Sequence, residues 1–142
     1  MDLGIAGRKA IVCGSSRGLG KACAMSLARA GCEVVVNGID PARLAETASE
    51  IRRATNAEVI EVAADVTTPE GQDALFAACP NPDVLITNAG GPPYKDFREL
   101  EREAMLTGVT WNMITPIELI KRVVDPMSER GFGRILNITS VS

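Results

Sequence analysis

Short apolar runs alternate along the chain with longer stretches in which apolar residues recur every three or four positions. Lys9 to Cys13, Glu33 to Asn37, Val59 to Ala63, Asp83 to Thr87 and Arg134 to Thr139 are short and largely rich in β-branched residues, and they read as strands. Gly18 to Ala30 reads as a helix with an inner face of Leu19, Ala22, Cys23, Ser26, Leu27 and Ala30, ended by Gly31. Asp40-Pro41 and Thr68-Pro69 each supply an N-cap and a first-turn proline. The first opens a helix carrying Leu44, Ala48, Ile51 and Ala54, and the second a shorter one carrying Leu75 and Phe76. Glu99 to Met127 is a long helical stretch with apolar residues on more than one face, and Pro116 is expected to kink or interrupt it. Near-continuous apolar strands separated by amphipathic helices predict a parallel sheet covered on both faces, an α/β doubly wound architecture.

Composition narrows this picture. A chain of 142 residues, 46% of them hydrophobic, fits a single domain (1–142) with a real core, and no repeat or linker divides it. A net charge of -3 without clustered Lys and Arg argues against a nucleic-acid surface. Cys13, Cys23, Cys32 and Cys79 show no C-x-x-C spacing and the chain has no histidine, so no metal site is expected and the cysteines read as small buried hydrophobes. There is no signal-peptide pattern and no run of about 18 apolar residues, so the expected setting is a reducing cytoplasm, with no membrane partner.

The most informative stretch joins the first strand to the first helix: Cys13-Gly14-Ser15-Ser16-Arg17-Gly18-Leu19-Gly20. Glycines here let the backbone approach a pyrophosphate, while the unpaired N–H groups of the next helix face its charge. Such a cluster is also what a tight turn needs. Its place at the first strand of an alternating chain, where strand order reverses and a crevice opens, favours a dinucleotide.

These residues resemble the short-chain dehydrogenase/reductase family over essentially the whole chain. The family turn T-G-x-x-x-G-x-G is matched by Gly14, Gly18 and Gly20, with Cys13 in the threonine place, and Ser15, Ser16, Arg17 and Leu19 complete the cradle. The family's N-N-A-G appears as Thr87-Asn88-Ala89-Gly90, which the resemblance sets beside the adenine ribose. Asp65-Val66 falls where the family places an acid-plus-apolar pair against the adenine; read without the resemblance, Asp65 is a loop residue or a cap. The resemblance implies a Rossmann-type sheet, and Asn37 at the end of the second strand joins the cofactor-binding set.

Asn112 and Ser140 match, in type and order, the family's catalytic asparagine and serine. Taken alone they are a polar helix residue and a strand-end hydroxyl. The implied chemistry is NAD(P)-dependent interconversion of a ketone and a secondary alcohol, as in 3-oxoacyl carrier-protein reductases, on a small carbonyl or alcohol substrate. The family's Tyr-x-x-x-Lys is absent, and Tyr94, the single tyrosine, precedes Asn112 in the chain. The expectation is therefore a fragment of a chain of about 250 residues, its sheet incomplete on the C-terminal side and the stretch inactive alone. The alternative is a catalytically inactive dinucleotide-binding or regulatory protein. NADP is favoured over NAD, because Gly38 occupies the place of the acid that binds a ribose 2′-hydroxyl and Arg17 suits a 2′-phosphate. Ile39 stands where a second basic residue is often found, and Asp40 caps the following helix. Gly91-Pro92-Pro93 either shapes a substrate entrance or braces a turn. The apolar surface of Leu119, Ile120, Val123, Val124 and Met127 predicts a homo-oligomer through the long helix 99–127, with burial against further chain as the alternative.

Overall fold

The computed structural model describes residues 2–91 and 95–139. Five parallel strands form one sheet: β1 (Lys9–Val12), β2 (Glu33–Gly38), β3 (Val59–Ala63), β4 (Val84–Thr87) and β5 (Arg134–Asn137), in the order β3-β2-β1-β4-β5. The order reverses between β1 and β4, which opens a crevice at the carboxyl ends of these strands. This is the Rossmann-type sheet the sequence predicts.

Helices cover both faces because successive strand residues point to opposite sides. Ala10 and Val12 pack with Val34 and Val36 beneath α1 (Gly18–Arg29) and α2 (Pro41–Thr55). Ile11, Val35 and Leu85 pack beneath α3 (Pro69–Ala78) and α5 (Thr115–Glu129) through Leu75, Leu119 and Val123. Ile11, Val12, Leu44, Ile51, Leu75 and Leu85 are sealed from solvent, so the central strands form the bottom of both cores.

The predicted caps are present. Asp40 Oδ1 accepts from the Ala42 and Arg43 N–H groups at 3.0 and 3.2 Å, and Thr68 Oγ1 accepts from Gly71 N–H at 3.1 Å. Each satisfies donors that the first helical turn leaves unpaired.

Two helices differ from expectation. In α1 the buried face is Gly20, Ala24 and Ala28, while Leu19 is 67% exposed and Ala22 and Ser26 face solvent. The reason is the helix start: a Cβ on Gly20 would lie on the Gly14 carbonyl, so the turn sets the phase and the smallest residues, not the most apolar, go inward. In α2, Ala54 is exposed and Thr47 is buried instead, its Oγ1 donating to Ser16 O at 2.9 Å.

The long helix of 99–127 is replaced by shorter pieces. A 3₁₀ turn at Phe97–Glu99 leads to α4 (Arg102–Val109), a π-helical turn at Thr110–Ile114, and α5. The Thr115 N–H reaches back to Thr110 O, one residue further than an α-helical bond. Pro116 has no N–H and its ring crowds the carbonyl of Asn112, four residues earlier, so the turn ahead of it widens. The interruption expected at Pro116 is thus displaced into the preceding turn, where Trp111 and Asn112 lie.

Candidate functional site

The glycine turn is held by side chains from two neighbouring strands. Past β1, the buried Cys13 donates its N–H to Ile86 O at 3.0 Å. Gly14 then takes a positive φ of 56°, and a Cβ on it would stand 2.8 Å from Asn88 Nδ2. Asn88 Nδ2 donates to Gly14 O at 3.1 Å, tying the end of β4 to the turn. Gly18 also has a positive φ, 57°, but an added Cβ there would meet nothing within 4 Å. Gly14 and Gly20 are therefore fixed by close approach, and Gly18 by backbone conformation.

Ser15 and Asn37 form a second lock. Ser15 Oγ donates to Val12 O at 2.7 Å and accepts from Asn37 N–H at 2.8 Å, while Ser15 N–H donates to Asn37 O at 2.7 Å. The Asn37 amide, 2% exposed, donates to Val62 O and Ala64 O at 3.0 and 2.9 Å and accepts from Gly14 N–H at 3.3 Å. One amide thus joins the ends of β2 and β3 to the glycine turn. Its hydrogen-bonding groups are engaged within the protein, so it shapes the floor of the crevice.

Arg17 precedes α1 in extended backbone and gives no side-chain cap. Nothing acidic stands in the first turn of α1, so its N–H groups and positive dipole end remain available to an anion. Around this point lies a cleft of about 380 Å³ lined by Gly14, Ser16, Arg17, Asn37, Asp65, Val66, Asn88, Ala89 and Gly90 of the sequence-derived set. Ser15 and Gly20 are buried behind it and Leu19 faces solvent. Asp65 Oδ1 accepts from Thr67 N–H at 2.9 Å and from Thr67 Oγ1 at 2.7 Å, so Asp65 is both a turn-forming loop residue and part of the cleft wall.

A second recess of about 230 Å³ shares Asn88, Ala89 and Trp111 with the first and adds Asn112, Asn137 and Thr139. Asn112 is exposed in the π turn, its Nδ2 donating to Gly108 O at 3.1 Å and to Gly90 O at 3.4 Å. Thr87 Oγ1 donates to Asn137 Oδ1 at 2.6 Å, joining β4 to β5 beneath the recess. Ser140 and the prolines and tyrosine of the Pro92-Pro93-Tyr94 segment lie outside the described residues.

Burial pushes the Cys13 thiol up to about 12, against a smaller opposing effect of the Asn88 backbone. It stays protonated and fills space where the family has threonine. Cys32 and Cys79 are likewise raised by burial, as fits small hydrophobes.

The sequence reading missed Trp111 and Arg43. A Cβ on Gly90 would lie 2.8 Å from the Trp111 ring, so this indole, which borders both recesses, packs directly on the loop after β4. The signal was Gly90 itself, whose bare backbone admits a large side chain. Arg43 lines the first cleft from α2, and only the packing of α2 on the glycine turn reveals it.

The chain matches the short chain dehydrogenase family over residues 8–142 and belongs to it. It is 32% identical to the uncharacterized oxidoreductase YvaG of Bacillus subtilis (strain 168), over 99% of this chain and 53% of that protein. It is 28% identical to D-beta-hydroxybutyrate dehydrogenase of Rhizobium meliloti (strain 1021), over 94% of this chain and 54% of the relative. The crystal structure of L-sorbose reductase from Gluconobacter frateurii, complexed with NADPH and L-sorbose, superposes with a TM-score of 0.91 at 32% identity, covering 99% of this chain and 55% of that one. The chain thus spans about half the length of the curated relatives it matches. No described helix is long and apolar enough to cross a membrane.

Proposed function

We propose that this chain is the dinucleotide-binding part of an NADP-dependent oxidoreductase that interconverts a ketone and a secondary alcohol. The observation that carries the reading is convergence: the bare amino terminus of α1, Arg17, Asp65 and Asn88 meet at one cleft where strand order reverses. The residues fit the cofactor. Gly14 and Gly18 supply the backbone conformation of a phosphate cradle, Asp65 and Val66 a polar and an apolar wall for an adenine, and Gly38 an acid-free position past β2. The NADPH of the L-sorbose reductase complex supports the same choice.

Bound there, the nicotinamide would supply the hydride. Ser140, by resemblance, donates a hydrogen bond to the substrate oxygen, and Asn112, beside the second recess, orients a water for proton transfer. No Tyr-x-x-x-Lys occurs in residues 1–142, so we assign this stretch no activity by itself and take it as part of a longer polypeptide, which its match to only 53% and 54% of two relatives supports. Strand β5 supports this, with Ile135 and Leu136 37% and 51% exposed. We also assign a homo-oligomer: Leu119, Val123 and Met127 of the predicted surface are buried against the sheet, so the support comes instead from exposed Met105, Leu106, Val109, Met113 and Ile117 along α4 to α5, and we assign a reducing cytoplasm, supported by unpaired, mostly buried cysteines. A monomer by light scattering would remove the first assignment.

Arg17→Ala tests the cofactor reading: NADP affinity should fall by about tenfold, with NAD little changed. Equal losses would reduce Arg17 to a packing role. A second reading, a binder without catalysis, is favoured by the single tyrosine, Tyr94, preceding Asn112. Failure of the full polypeptide to oxidise NADPH with any of a panel of ketones, while still binding it, would establish that reading instead.

A further inference from the structure

Two consecutive residues of the π-helical turn grip one residue of the loop after β4. The half-buried Trp111 indole fills the space that a side chain at Gly90 would occupy: a Cβ there would stand 2.8, 3.1 and 3.7 Å from three carbons of the ring, and these are its nearest neighbours. Beside it, Asn112 Nδ2 donates to Gly90 O at 3.4 Å and to Gly108 O at 3.1 Å. A π-helical turn holds more residues than an α-helical one, so neighbouring side chains diverge less around the axis and both can face the same loop. Gly90 does not take a positive φ, unlike Gly14 and Gly18, so its backbone would accept a side chain and the indole alone stands in the way.

The contact sits at a junction. Asn88, Ala89 and Trp111 line both the first cleft and the second recess, so the start of this loop and the indole together form the wall between them. On the β1 side the wall is tied by the Asn88 amide, which donates to Gly14 O at 3.1 Å. On the helical side the Asn112 bond is the one hydrogen bond the loop receives among the described residues, and it is long, so the packed ring supplies most of the fixed geometry there. A shift of this wall would move the Asn112 amide while leaving the glycine turn in place. Misplacing a reacting group by about 1 Å can cost about 100-fold in rate.

We propose that Trp111 is a positioning residue for the reaction: its indole, seated in the space that Gly90 leaves open, sets the wall between the two recesses and through it the orientation of the Asn112 amide. The assignment rests on the oxidoreductase reading above, and it makes Gly90 a residue that this indole requires. Steady-state kinetics of the full polypeptide with NADPH and a panel of ketones, alongside calorimetric binding of NADPH and thermal melting, test it on Trp111→Ala, Trp111→Phe, Gly90→Ala and the double variant Gly90→Ala/Trp111→Ala. Trp111→Ala should lower kcat by about tenfold while changing NADPH affinity by less than about threefold, and Trp111→Phe, which keeps a ring against Gly90, should recover most of the loss. Gly90→Ala should also lower kcat by about tenfold or more, because the indole must move. The double variant should lose no more than Trp111→Ala alone, because the obstacle to the new methyl group is gone. Losses that multiply in the double variant, a Trp111→Ala enzyme with wild-type kcat, or kcat losses that merely follow melting temperature across the four variants would each overturn the role of Trp111. Wild type that binds NADPH but reduces no ketone of the panel would overturn it too and leave the cleft as a dinucleotide site, whereas wild type that binds no NADPH would overturn both readings.

Discussion

The two ends of the crevice are built to different standards. At the glycine turn, Ser15, Asn37 and, from the end of β4, Asn88 form a network of buried and partly buried bonds that ties the turn to β2, β3 and β4. On the β5 side, all residues of the strand are exposed and Asn112 rests on bonds of 3.1 and 3.4 Å at the surface of a π turn. The first end is preorganised by its own hydrogen bonds and needs nothing further to present a phosphate cradle. The second holds the groups assigned to chemistry, yet their shape depends on whatever covers β5 and α5. Binding and catalysis are therefore separable in this chain, and substitutions should separate them.

The sharpest break should come at Gly20. Alanine there forces a Cβ onto the Gly14 carbonyl, which cannot move without loosening the Asn88 bond. We expect a loss of about 2–3 kcal/mol in unfolding free energy together with loss of dinucleotide binding, read by chemical denaturation and calorimetry. Asn37→Ala should follow at about 2 kcal/mol, because it strands the Gly14 N–H and the carbonyls of Val62 and Ala64. A neutral Asn37→Ala would mean that the β2 side is no more organised than the other.

Cys13 probes the same side through pH. Its folded value near 12 lies above the ordinary thiol value of 9.0, so the native state holds the proton more tightly than the unfolded chain. The resulting stability is fully present below pH 9 and is lost as pH rises toward 12. Each such thiol should contribute a fall of at most about 1.4 kcal/mol per pH unit, and Cys13→Ala should flatten the alkaline limb of a stability–pH curve. The smallest effect belongs to the β5 side: Asn112→Ala should change unfolding free energy by less than about 0.5 kcal/mol while lowering kcat of the full polypeptide. A large stability loss there would erase the contrast.

Much of this arrangement was legible in the residues themselves. The strands declared themselves because both faces of a parallel sheet are buried, so β2 carries three consecutive valines, Val34 to Val36. Asp40 and Thr68 announced their helices because capping is local chemistry. The phase of α1 was hidden, since hydrophobicity points to Leu19 whereas contact with the turn demands Gly20. The π turn was equally hidden: Pro116 marks a disturbance, but the widened turn lies one step earlier, where its ring meets the preceding carbonyls. Asn37 does line the cleft, but its bonds to Gly14, Val62 and Ala64 were hidden, because these partners lie far from it in sequence. Trp111 and Arg43 escaped for the same reason, each entering the cleft from a neighbouring helix.

Trp111 also offers the most direct test of the central claim, that this cleft binds a dinucleotide and prefers one with a 2′-phosphate. It is the single tryptophan of the chain and borders both recesses. Titrating NADPH should quench its emission saturably and sensitise the fluorescence of the nicotinamide, with NADH reaching the same endpoint only at higher concentration. Tryptophan emission that does not respond to NADPH, or responds to NADPH and NADH at equal concentrations, would contradict the account.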